Sequence, residues 1–115
     1  MLERDLTSKN GLLAKSLPKG FYWYRIADVG YKTRNKTGFD GLLFFHNTCW
    51  PVEVKLNSGK LNENEIKTAD EFKDRGIDYL ILTYQEKLNI WVIDFYGKNY
   101  YISGKLYEIL ERLVE

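Results

Sequence analysis

The chain has a single cysteine, Cys49, and a single histidine, His46, among its 115 residues. One thiol excludes an internal disulfide and a cysteine-rich zinc knuckle, and one imidazole excludes a two-histidine metal motif. No stretch approaches the roughly 18 consecutive apolar residues of a membrane span. The opening MLERDLTSKN lacks the charged-then-apolar layout of a secretory signal, so the expected location is cytoplasmic, with no membrane partner. Glycine-rich phosphate loops of the nucleotide or dinucleotide type are missing, and no nucleotide cofactor is expected. No serine or threonine lies in a strand–turn–helix nucleophile elbow, and Cys49 has no base partner in its turn. Repeats, low-complexity tracts and linkers are also lacking, which leaves one domain over residues 1–115.

What is present suits a soluble globular domain: 44% hydrophobic and 29% charged residues, enough for one core. Nine tyrosines and three tryptophans suit a small β-containing interior. The net charge of +1 hides an asymmetry. Residues 1–38 carry eight Lys/Arg against three acids, a surplus of five, whereas the remainder carries nine against thirteen, a deficit of four. A basic first third points toward a polyanion.

Leu2, Leu6, Leu13 and Leu17 predict a first helix within 2–17, weakened at Gly11 and ended by Pro18 and Gly20. FYWYRIAD (21–28) reads as an aromatic strand, with its rings assigned to the core and base stacking as their other use. A basic, glycine-bounded loop follows, GYKTRNKTG (30–38). FDGLLFFH (39–46) and WPVEVKL (50–56) read as strands joined by a short turn. Asn62-Glu63-Asn64-Glu65 is a capping box opening a helix that Gly76 ends. DYLILTY (78–84) and NIWVIDFY (89–96) read as paired strands, and Leu106, Ile109, Leu110 and Leu113 form the apolar stripe of a closing helix. The predicted fold class is α/β, a mixed central sheet flanked by helices.

One constellation carries chemistry. Asp40 opens one strand; after twelve intervening residues the next strand holds Glu53-Val54-Lys55. Residues two apart on a strand share a face, so Glu53 and Lys55 point together while Trp50, Val52 and Val54 point into core. A hairpin would set Asp40 beside Glu53. Two carboxylates are hard oxygen ligands of the kind Mg²⁺ takes, and a metal-activated water with a neighbouring lysine suits phosphodiester hydrolysis. Charges on such apolar strands are costly unless paired or metal-bound.

These residues resemble the PD-(D/E)xK nuclease superfamily, whose signature is an acid, an apolar strand and a (D/E)-x-K on the next strand of an αβββαβ core. The stretch from about 37 to 84, including the turn Gly59-Lys60-Leu61, is most similar to VRR-NUC domains and to archaeal and phage Holliday junction resolvases. The resemblance implies a restriction-endonuclease-like fold and an Mg²⁺-dependent endonuclease, with Mn²⁺ able to substitute, acting on branched or junction DNA in repair or recombination. It implies Asp40, Glu53 and the Val54 carbonyl as metal ligands and Lys55 as the catalytic lysine. Related resolvases add a first-helix glutamate, here Glu3. Two departures stand out. Phe39 replaces the proline before the first acid, and Glu65 replaces the helix glutamine of the VRR-NUC pattern, a position the capping box explains without catalysis.

Lys32, Arg34 and Lys36 in the basic loop are read as phosphate contacts, with Arg25 and Lys60 extending the track. A single site does not easily cut both strands of a duplex, so a homodimer is expected. The alternative is a noncatalytic nucleic-acid- or protein-binding module of the same fold. The small size and the likeness to viral enzymes suggest a phage origin.

Overall fold

The computed structural model describes residues 1–26 and 39–114. The leucine-spaced opening forms two short helices instead of one, α1 (Glu3–Thr7) and α2 (Leu12–Lys15). They break at Gly11, where a Cβ would lie 2.6 and 2.7 Å from the carbonyl oxygens of Asp5 and Leu6. The chain there folds tightly back on α1, which glycine alone permits without displacing backbone.

Strands β1 (Phe21–Arg25), β2 (Gly41–Phe45) and β3 (Thr48–Leu56) form an antiparallel meander. Helix α3 (Glu63–Asp74) then carries the chain across the sheet to β4 (Leu80–Gln85), which lies parallel to β3. A parallel neighbour requires such a crossover, whereas tight turns serve β5 (Ile90–Phe95) and β6 (Tyr100–Ser103), both antiparallel additions. Helix α4 (Leu106–Leu113) closes the fold. The result is a mixed six-stranded sheet in the order β1-β2-β3-β4-β5-β6. The short strand β6, between β5 and the closing helix, has no counterpart among the elements read from the sequence.

Alternation along the strands produces two unequal faces. One buries Val52, Val54, Leu80, Leu82 and Ile93 completely, with Trp23, Leu43, Trp50, Trp91 and Phe95 around them. Leu6, Leu13, Leu106, Ile109 and Leu110 from α1, α2 and α4 cover it. The indole Nε1–H of Trp23 donates to the Thr7 carbonyl at 2.7 Å, tying the edge strand β1 to α1. The other face holds a smaller cluster, Ala69, Tyr79 and Ile81, with Phe39, Leu61, Phe72 and Tyr96 packed against it under α3. Among the described residues no helix is long and apolar enough to cross a membrane.

Candidate active site

The second face carries the charged residues. Glu53 sits in the middle of β3, between Val52 and Val54, and only 4% of its surface is exposed. Its pleat partner Lys55 shares its face, as alternation predicts, and Ile81 on β4 is its register neighbour.

Asp40 reaches Glu53 through a change of register. Its N–H donates to the Val52 carbonyl at 2.9 Å while Gly41 is also aligned with Val52, so two residues of one strand oppose one of the other. That is the arrangement of a β-bulge, which bends the strand and re-aims a side chain. The Asp40 carbonyl accepts from Ile26 N–H at 2.9 Å, keeping the residue in line with β1. Its carboxylate Oδ2 accepts the Val54 N–H at 2.8 Å. Gly41 makes this geometry possible. A Cβ there would lie 2.4 Å from the Tyr24 carbonyl oxygen and 2.6 Å from the Trp23 ring. Val54 presents both its N–H and its carbonyl toward the β2 side, because a strand residue aims both groups at one neighbour. Beyond Gly41 that side is no longer lined by β2.

Glu65 completes the group. Lys55 Nζ contacts its two carboxylate oxygens at 2.8 and 3.0 Å. The capping box expected from the sequence is present: Asn62 N–H donates to Glu65 Oε1 at 2.8 Å, and Glu65 N–H donates to Asn62 Oδ1 at 2.9 Å. The cap and the lysine contact coexist. The box curls the Glu65 side chain back over the helix start, and the short 57–62 link holds that start against the end of β3. The local cap therefore does not exhaust the role of Glu65, and sequence reasoning passed it over. Its match to the glutamine position of the VRR-NUC pattern was the available signal.

Glu53 and Glu65 are pushed in opposite directions. Burial, followed by hydrogen bonds to Glu65 and Asp40 and by their negative charge, pushes Glu53 up to about 11, so it is a neutral acid at pH 7. Burial also acts on Glu65 upward, but its bonds from Glu53, Lys55 and the Asn62 N–H outweigh that and hold it low, as the anion. Lys55 loses solvation on burial, yet its bond to Glu65 and the surrounding acids keep it raised and charged. Glu3, at the start of α1, feels the same field: partial burial raises it first, then the charge of Asp40. Tyr79, fully buried beside these acids, is pushed up by burial and then by Glu53.

Asp40, Glu53, Lys55 and Glu65 thus meet at one spot, with Glu3 at its border. Among the described residues no three His, Cys, Asp or Glu side chains are already splayed as a metal cage; the acids are turned on one another and on Lys55. The donors are all hard oxygens, and carboxyls outnumber cations in the group, which suits a divalent ion of the Mg²⁺ type.

Of the expected phosphate contacts, Arg25 is exposed at the end of β1, opposite Gly41. Strand alternation puts it on the face of Trp23, away from Glu53. Lys60 is exposed on the link between β3 and α3. Lys32, Arg34 and Lys36 lie outside the described residues.

No family model matches the chain, and no curated protein matches it. Among solved structures it is similar to Hjc, a Holliday junction resolvase from the archaeal hyperthermophile Archaeoglobus fulgidus. The TM-score is 0.52 at 21% identity, and the match covers 96% of this chain and 89% of that one. The likeness shows the fold, a restriction-endonuclease-like α/β domain.

Proposed function

We propose that the chain is a metal-dependent DNA endonuclease of the PD-(D/E)xK superfamily that selects branched or junction DNA. The observation that carries this reading is the convergence of Asp40, buried Glu53 and Lys55 where β2 ends and β3 continues. The fold shared with a Holliday junction resolvase supports it.

Asp40 and Glu53 would hold Mg²⁺ or Mn²⁺, with the Val54 carbonyl on the same side of β3 as a third donor. The ion supplies charge to activate water and to offset developing negative charge on the phosphoryl oxygens. Asp40 is fixed for this task by the Val54 N–H. Glu53, kept protonated by burial and its neighbouring carboxyls, would have to release that proton to serve as a ligand. Lys55 orients the water and the phosphoryl oxygens from the second face, and Glu65 aims it by holding the ammonium through two contacts. Glu3, at the border of the group, would add a further carboxyl facing the ion. Lys60 and the basic loop of Lys32, Arg34 and Lys36 would grip phosphates, and a homodimer would set two such sites on one junction.

The test is cleavage of four-way-junction, nicked and linear DNA with Mg²⁺ or Mn²⁺. Asp40→Ala and Lys55→Ala each lower the rate by at least about 100-fold, the usual loss when a charge-stabilising group is removed. Cleavage unchanged in either variant overturns the mechanism. Salt-sensitive binding without turnover in the native chain favours the noncatalytic module instead.

A further inference from the structure

The aromatic strand β1 divides its rings between two faces. Trp23 is buried, but Tyr22 and Tyr24 are 58% and 52% exposed, and Phe44 across from Tyr22 is 37% exposed. The register places Tyr22 beside Phe44, Tyr24 beside Leu42, and Leu42 beside Pro51. Since Pro51 and Glu53 share a face of β3, these rings lie on the face that carries the candidate active site. The Tyr22 and Phe44 ring centroids are 6.3 Å apart. We propose that Tyr22, Tyr24 and Phe44 form a stacking platform for unpaired nucleobases of the DNA strand that enters the site, a proposal that rests on the nuclease reading.

Three observations choose this occupant. The first is charge: β1, β2 and the turn to His46 and Asn47 contain no acidic residue. A polyanion laid along these two strands meets no carboxylate before the site itself, whereas on β5, one strand in from the opposite edge, Asp94 faces the same side of the sheet as Glu53. The second is reach. Tyr24 is two strands over and about two residues along from Glu53, ~12 Å by strand spacing and rise, or about three to four stacked nucleotides at ~3.4 Å each. The third is size. Three rings of ~200 Å², about half exposed, offer ~300 Å², well short of the ~800 Å² each partner gives a stable protein interface. Isolated rings on a rigid sheet stack against single bases, each with a π-face, whereas paired bases inside a duplex present only their edges.

The experiment compares binding of a splayed-arm DNA, a duplex ending in two unpaired arms, with a fully paired duplex of equal length. Anisotropy titrations run without divalent metal at fixed salt, so turnover plays no part. The native chain binds the splayed arm more tightly. The double variant Tyr22→Ala/Tyr24→Ala loses about tenfold or more of that affinity, the scale of one base–ring stack, and keeps duplex affinity within about twofold. Tyr22→Phe/Tyr24→Phe retains the preference, because stacking needs the ring and not the hydroxyl. If the double alanine variant does not fold, the single alanine variants carry the test. A native chain that binds both DNAs without preference, or an alanine variant that keeps the preference, overturns the platform and leaves the nuclease reading standing. A native chain that binds neither DNA overturns both. A fall in solution mass in the alanine variant reassigns the rings to contacts between copies of the chain.

Discussion

The two faces of the sheet are built from the same strands and differ in what burial does to them. On the first, Val52, Val54, Leu80, Leu82 and Ile93 are sealed by three helices and satisfy nothing but van der Waals contact. On the second, one residue further along β3, Glu53 is nearly as buried yet meets two other carboxyls and an ammonium. Among the described residues only the small Ala69–Tyr79–Ile81 cluster packs there. The first face supplies stability. The second spends part of it to keep acids together away from water, a cost that a purely structural strand has no reason to carry.

Truncation on the first face breaks the contrast most strongly. Leu82→Ala removes a completely buried side chain and lowers the unfolding free energy by about 2–5 kcal/mol in a denaturant titration. A value near zero would mean that the large face is not the core. Next in size is Gly41→Ala. Its methyl meets the Tyr24 carbonyl and the Trp23 ring, so the variant loses about 1–3 kcal/mol, and DNA cleavage falls further than stability explains as Asp40 shifts. Unperturbed stability would show that the strands part there freely.

Glu53→Gln sharpens the comparison from the other side. Folded Glu53 keeps a proton that the unfolded chain has already released above its ordinary value of 4.5. Its contribution is therefore complete only in acid and fades as pH rises toward about 11. Between pH 7 and 8 the metal-free native chain loses up to about 1.4 kcal/mol to this group. Glutamine keeps the neutral hydrogen-bonding shape without that slope, so urea titrations at the two pH values diverge for the native chain more than for the variant. Equal slopes would mean that Glu53 is ionised in the fold.

How much of this was readable in the residues follows the range of the interactions. Glu53 and Lys55 were placed on one face by strand alternation alone, and the hairpin brought Asp40 to them, since both rules act within a few residues. Glu65 escaped because its cap is a sufficient local reason for a glutamate, whereas its contact with Lys55 depends on how α3 docks. Tyr22 and Tyr24 were grouped with Trp23 as core. Three consecutive aromatics cannot all face one side, and only the sheet order reveals that, among the described residues, β1 is an edge whose second face no helix covers. The split of the first helix at Gly11 was marked as a weak point, but the close return of the chain is a tertiary event.

The ring of Trp23 has a further use. It is wedged against Gly41 on one side and bonded through its nitrogen to Thr7 on the other, so it spans the gap between the bulged strand and the helix bearing Glu3. An indole in that position is an optical gauge already installed. With Trp50 and Trp91 replaced by phenylalanine, its emission would register any shift of either element when an ion or a strand of DNA arrives, without a dye attached to the molecule.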